Sequence, residues 1–136
     1  MPLHRYIGQL ALLLSCLTLT ACQTGTATTS DNVRPGHVTH VVVFWLKDPG
    51  SAEQRRDLIA ACHTLRDIPG VTDLRVGEPL PSTRPVVDSS YDVAMVITFE
   101  NEQAMEAYNP HPIHEKLAKE FVPKFARFLV YDFTNR

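Results

Sequence analysis

The feature that most constrains this chain is a β-prone segment, Val38 to Leu46, that is apolar on both of its faces. Side chains of a strand alternate between the two faces of its sheet, so even-numbered and odd-numbered residues separate. The even face holds Val38, His40, Val42, Phe44 and Leu46, and the odd face holds Val41, Val43 and Trp45. Because both faces are apolar apart from Thr39 and His40 near the start of the segment, the sheet that contains this strand must be covered on both sides.

Downstream segments alternate between strand and helix signals in an order that indicates the fold class. The predicted elements are a strand at 38–46, a helix at 51–67, strands at 71–76 and 91–99, a helix from 101 that is bent near 110 and ended by Pro123, and a strand at 125–133. Ser51 and Asn101 are suitable helix caps, and a long proline-containing loop occupies 77–90. The order β-α-β-β-α-β predicts an α+β, ferredoxin-like antiparallel sheet with helices on one face.

The amino-terminal residues indicate export rather than a folded element. The segment 7–19 is mostly apolar but too short to span a membrane as a mature helix. It ends in Leu-Thr-Ala-Cys22, which resembles the lipobox of bacterial lipoproteins, where the signal is cut before the cysteine and the cysteine is acylated. We therefore predict a signal peptide at 1–21, a lipidated Cys22 with a flexible tether at 22–36, and one domain at 37–136. Gln23 after the lipidated cysteine predicts an anchor in the bacterial cell envelope, on the periplasmic side of the outer membrane.

The net charge and the cysteine content limit which molecules the chain can bind and which disulfides it can form. Removal of the signal leaves 12 Lys and Arg against 15 Asp and Glu, a net charge of −3, which disfavours nucleic-acid binding. Cys16 leaves with the signal and Cys22 carries lipid, so Cys62 cannot form an intrachain disulfide. Its position on the apolar stripe of the first helix predicts that it is buried and inert, or else that it pairs between chains.

The segment 108–114, Tyr-Asn-Pro-His-Pro-Ile-His, concentrates the polar groups most suited to chemistry. Its first proline disfavours a helical conformation at Asn109, and its second suits the first position of a new helix. His111 would then be the N-cap and His114 would lie in the first turn, where the helix dipole disfavours imidazolium. A neutral His114 can act as a base or as a hydrogen-bond acceptor, and Tyr108 can donate a hydrogen bond. The alternative is a bent helix–helix connection in which the histidines only complete hydrogen bonds.

Taken together, these segments resemble the stress-responsive dimeric α/β-barrel (Dabb) family. The similarity runs from His-Val-Val-Val-Phe-Trp-Leu-Lys at 40–47, through Tyr-Asp-Val-Ala at 91–94 and the segment 108–114, to Val-Tyr-Asp-Phe at 130–133. The resemblance implies a homodimer whose two sheets form a barrel, which would also cover the apolar odd face. One plant member is a polyketide cyclase that performs an aldol condensation without metal or organic cofactor. Its working histidine and tyrosine match His114 and Tyr108, its pocket histidine matches His40, and Cys62 replaces a pocket tyrosine.

Three functions remain open on these residues. The first is a binding module in which a pocket between helices and sheet holds a small apolar or aromatic ligand, with His40, Val42, Phe44, Tyr108 and His114 as contacts. The second is a cofactor-independent lyase or cyclase with His114 as general base, Tyr108 as hydrogen-bond donor and His40 orienting the substrate. The third is metal binding through His40, His111 and His114, which is disfavoured because no carboxylate is obviously placed to complete a site. An oxygenase on a similar barrel follows from fold analogy alone.

Overall fold

The computed structural model describes residues 34–136, and the predicted signal peptide, Cys22 and most of the predicted tether lie outside these residues. The elements are β1 Val38–Leu46, α1 Ala52–His63, β2 Val71–Gly77, β3 Val93–Phe99, α2 Glu102–Tyr108, α3 Pro112–Phe121 and β4 Phe125–Thr134. Single 3-10 turns follow α1 and α3. The predicted order of elements is confirmed. Within residues 34–136, no helix is long and apolar enough to cross a membrane.

The four strands form one antiparallel sheet in the order β2-β3-β1-β4, so β1 is central and β4 lies at an edge. The even face of β1 is packed against the helices, and its Val42 and Phe44 are buried together with Leu58 of α1 and Phe121 of α3. Strand β4 pairs with β1 so that His40 lies opposite Asp132 and Val42 lies opposite Val130. The even faces of these two strands therefore form one continuous surface beneath the helices.

Side-chain caps fix where each helix begins. Ser51 Oγ accepts a hydrogen bond from the amide three residues on, at 3.3 Å, and Asn101 Oδ1 does the same at 2.9 Å. His111 Nδ1 accepts from the amide of Ile113 at 3.3 Å, and a proline occupies the first position of α3. Each cap satisfies an amide that has no partner within its helix. The N-cap role predicted for His111 is confirmed.

The predicted extended conformation of Asn109 is wrong. Asn109 precedes a proline, yet its backbone is helical, with φ −58° and ψ −48°. Two hydrogen bonds hold the turn: the His111 amide donates to the Tyr108 carbonyl at 3.1 Å, and His114 Nδ1 donates to the Asn109 carbonyl at 2.8 Å. These contacts outweigh the steric effect of a following proline, which disfavours helical backbone angles in the residue before it. They also bring His114 back over Tyr108.

Strand β3 begins at Val93, two residues later than predicted. Asp92 is hydrogen-bonded to the end of β1. Its amide donates to the Phe44 carbonyl at 2.9 Å, and its Oδ2 accepts from the Leu46 amide at 2.8 Å. Tyr91 packs edge-on against Trp45, with ring centroids 6.4 Å apart. These two residues therefore close the long loop onto β1 instead of extending β3.

The odd face of the sheet is left bare by the helices, as predicted. Leu129, Tyr131 and Phe133 of β4 lie on it, each between 39% and 57% exposed. At one end the Arg127 guanidinium stacks on the Trp45 ring at 3.8 Å from its centroid. A contiguous apolar surface of this kind is unusual on a monomeric protein and is typical of an interaction surface.

Candidate functional site

A cavity of about 330 Å³ lies between the even faces of β1 and β4 and helices α2 and α3. Its wall is formed by His40, Val42, Phe44, Met95, Met105, Tyr108, Asn109, His114, Leu117, Ala118, Val122, Phe125, Phe128, Val130 and Asp132. The volume is at the small end of the range of about 300–1,000 Å³ that is typical of ligand pockets. All five residues predicted to contact a ligand line this one cavity, and their role as ligand contacts stays a prediction.

The hydrogen bond of His114 determines which of its ring nitrogens can serve the cavity. Nδ1 lies 2.8 Å from the Asn109 carbonyl oxygen. A carbonyl can only accept, so Nδ1 carries the proton and donates it. Nε2 is then the nitrogen that is left for a ligand, and in the neutral ring it presents a lone pair. The sequence-predicted base therefore has a defined tautomer.

Tyr108 is 2% exposed, and its ring lies between those of His114 and Phe99, with centroid distances of 4.4 and 5.1 Å. Its hydroxyl makes no hydrogen bond to the described residues, yet it is not sealed in the core. Within residues 34–136, Asn135 Nδ2 is the one fully buried side-chain polar atom without a partner. Burial, and to a smaller extent the nearby Cys62 thiol, raise the pKa of Tyr108 above its ordinary value. The phenol therefore stays protonated and is able to donate a hydrogen bond into the cavity.

His40 is paired with a carboxylate that the sequence analysis did not identify. Its Nδ1 lies 2.6 Å from Oδ1 of Asp132, its cross-strand partner, and the two side chains are 13% and 43% exposed. Asp132 holds the imidazole with Nε2 directed away from the carboxylate. A signal for Asp132 was present, because it is a charged residue that follows the apolar Phe128 and Val130 at even positions of β4. His40 is therefore both hydrogen-bonded within the fold and part of the cavity wall.

Cys62 is buried, as predicted, and lies outside the cavity wall. Burial raises the pKa of its thiol to about 12, so the reactive thiolate is scarce near neutral pH. The alternative of pairing between chains would require this side chain to leave the core. Cys62 is therefore a packing residue in the folded domain.

The histidines do not assemble into a metal site in the described part of the chain. No group of three or more His, Cys, Asp or Glu side chains within residues 34–136 is arranged to hold a metal ion. His111 uses Nδ1 to cap α3 and does not line the cavity, so only His40 and His114 of the three candidate ligands share it.

A four-stranded antiparallel sheet with helices on one face, and a mainly apolar cavity between them, define a ferredoxin-like α+β domain. The model of the Stress responsive A/B Barrel Domain family (Dabb) matches residues 38–135. The chain therefore belongs to this family. A search of curated proteins found no significant match.

Solved structures share the fold over nearly their whole length. A Dabb family protein from Mesorhizobium loti is 31% identical, with a TM-score of 0.60, covering 74% of this chain and 98% of that one. A dimeric ferredoxin-like protein from Thermobifida fusca is 23% identical, with a TM-score of 0.63 and coverages of 76% and 94%. Hydroxynitrile lyase from Passiflora edulis is 23% identical, with a TM-score of 0.66 and coverages of 76% and 96%. At these identities the last two relatives bear on the fold alone.

Proposed function

We propose that the domain binds a small, mainly apolar or aromatic molecule in the cavity between β1, β4, α2 and α3. The observation that carries this proposal is the presence of His40, Tyr108 and His114 on the wall of one cavity that is otherwise mainly apolar. A few convergent polar groups on an apolar wall are the usual composition of a small-molecule site.

The unsatisfied polar atoms of these three residues support the same proposal. Each imidazole has used Nδ1, on Asn109 or on Asp132, and the Tyr108 hydroxyl has no partner among the described residues. A polar atom that gives up water without gaining a partner costs roughly 1–3 kcal/mol. Water or a ligand in the cavity removes that cost, and a ligand with matching polar groups does so while its apolar body fills the rest of the space.

The second candidate is a cofactor-independent lyase or cyclase that uses the same residues. The observation that favours it is the pairing of a His114 ring whose Nε2 is free with a Tyr108 phenol whose pKa is raised. His114 Nε2 would remove a proton from the substrate, and Tyr108 would donate a hydrogen bond to the oxygen on which charge develops. His40 would orient the substrate. The same fold occurs in a hydroxynitrile lyase, but that similarity supports the fold and not the reaction.

We also propose that the domain works as a homodimer. The exposed apolar side chains on the odd face support this, because a second copy would remove them from water. Relatives from Thermobifida fusca and Bacteroides fragilis with the same fold are described as dimeric. The two sheets would then face each other, and both cavities would lie on the outer sides, beneath the helices.

We further propose that Cys22 is acylated and attaches the domain to the periplasmic side of the outer membrane. This proposal rests on the sequence around Cys22. Replacement Cys22→Ala should abolish acyl labelling and shift the protein out of the membrane fraction. A variant that is labelled and fractionates like the wild type would refute the lipoprotein assignment.

The binding proposal is tested by native mass spectrometry of the full chain extracted from its own envelope, which reports the number of copies and any retained small molecule together. The matched variants Ala118→Phe and Ala60→Phe sharpen the test. Ala118 lines the cavity, so a phenyl ring there should displace the ligand, whereas Ala60 is exposed on α1 and its replacement should not. Equal retention of a molecule by both variants would contradict the cavity as its site, and the absence of any bound molecule or ligand-induced thermal shift would contradict binding.

A further inference from the structure

The charge of the cavity wall indicates whether the ligand is anionic or uncharged. This inference rests on the binding function proposed above. None of the lining residues is a lysine or an arginine, and the one acidic residue among them is Asp132. The carboxylate of Asp132 is partly exposed and is already hydrogen-bonded to His40 through Oδ1. An anionic ligand would therefore meet a like charge and would find no permanent cation to offset it.

The hydrogen-bonding groups on the wall are mainly acceptors. The Nδ1–H of His40 donates a hydrogen bond to Asp132 and the Nδ1–H of His114 donates one to the Asn109 carbonyl, so each ring in its neutral form offers a lone pair on Nε2. Asp132 Oδ2 is a third acceptor, because the hydrogen bond to His40 uses Oδ1. The other polar residues of the wall are uncharged: Tyr108, whose hydroxyl can donate and accept, and Asn109, whose side-chain amide can also do both. A ligand that satisfies this wall must bring hydrogen-bond donors of its own.

From these observations we infer that the cavity takes an uncharged compound with an aromatic or cyclic apolar body and at least one hydroxyl group, and that it selects against carboxylates. A hydroxyl group matches an imidazole Nε2 as donor and the Tyr108 phenol as acceptor. A carboxylate offers no donor, and its transfer from water into this wall is not offset by an opposite charge. A methyl ether keeps the apolar body but loses the donor, which leaves an acceptor of the wall unpaired.

Three compounds of nearly equal shape separate the effect of the hydroxyl donor from the effect of a negative charge. They are 2-naphthol, 2-methoxynaphthalene and 2-naphthoate. Their affinities for the full-length protein are measured by calorimetry at pH 7, with Ala118→Phe as the reference that subtracts partition into detergent or lipid. We expect 2-naphthol to bind about tenfold more tightly than the ether, from the lost hydrogen bond. We expect it to bind at least about tenfold more tightly than the carboxylate, from charge repulsion and desolvation.

Asp132→Asn tests the origin of the selection, with Asp57→Asn as a control that removes the same charge from the exposed surface of α1. The ratio of naphthol to naphthoate affinity should fall by about tenfold in Asp132→Asn and stay constant in Asp57→Asn. Equal changes in both variants, or naphthoate binding as tight as naphthol binding to the wild type, would overturn the inference and leave the binding function standing. If none of the three compounds binds the wild type better than Ala118→Phe, the binding function fails for this class of ligand and the inference fails with it.

Discussion

Replacement of Tyr108 by phenylalanine tests whether the phenol serves a ligand or the fold. The substitution keeps the ring, which packs 4.4 Å from the His114 ring and 5.1 Å from the Phe99 ring, and removes one oxygen. Loss of a buried hydroxyl costs about 1–3 kcal/mol when it leaves a protein partner unpaired, but the Tyr108 hydroxyl has no such partner in the described residues. The free energy of unfolding should therefore change by less than about 1 kcal/mol, and the melting temperature by less than roughly 8 °C.

Urea and thermal unfolding, followed by circular dichroism, measure this change, and Tyr108→Ala provides the scale. Loss of the whole ring from a site that is 2% exposed should cost about 3–5 kcal/mol, because it leaves a cavity in the core. Ligand affinity should change much more than stability in Tyr108→Phe. This variant should lose most of its affinity for a hydroxylated ligand although its fold is nearly as stable as that of the wild type. A loss of more than about 2 kcal/mol of stability in Tyr108→Phe would show that the hydroxyl is a structural group, and the reasoning from its unpaired state would be refuted.

Three further variants or conditions test the cap, the bare face and the buried thiol. His111→Ala should lower the free energy of unfolding by about 1 kcal/mol, while His111→Asn, which keeps a cap, should lower it less; equal losses in urea titrations would contradict the cap. Leu129→Asp places a charge on the odd face and should halve the mass found by light scattering while circular dichroism stays native, whereas an unchanged mass would contradict this interface. Because burial raises the pKa of Cys62 from 9.0 to about 12, the folded chain holds this proton more tightly than the unfolded chain. Stability should therefore fall as pH rises from 9 towards 12, and iodoacetamide at pH 8 should modify Cys62 much faster in urea than in buffer; equal rates would contradict its burial.

The fold could be predicted from the sequence because its main signals are local. Apolar residues on both faces of β1 require cover on two sides, and the caps at Ser51, Asn101 and His111 each depend on hydrogen bonds within three residues. The burial of Cys62 followed from helical periodicity alone. These features fix which segments become strands and helices, and together they define the ferredoxin-like arrangement.

The site could be predicted only in part, because two of its determinants are not local. Asp132 reaches His40 through the pairing of β4 with β1, and that register is shifted by an irregularity at Trp45 and Leu46 that the sequence does not reveal. Asn109 is helical because its carbonyl accepts a hydrogen bond from the His114 side chain, five residues away and on the next helix. Pre-proline statistics describe the local preference of a residue and do not include such a contact.

The edge strand β4 contributes side chains to both surfaces of the sheet. Its even residues Phe128, Val130 and Asp132 line the cavity, while Leu129 and Tyr131 between them face the bare side. Among the described strands β4 pairs only with β1, so a second copy on the odd face would restrict its twist and hold Asp132 against His40. We therefore expect Leu129→Asp to weaken ligand binding as well as dimerisation, and raising the protein concentration to restore both together. An affinity per protomer that stays constant while light scattering follows the protein from monomer to dimer would show that the cavity is independent of the partner.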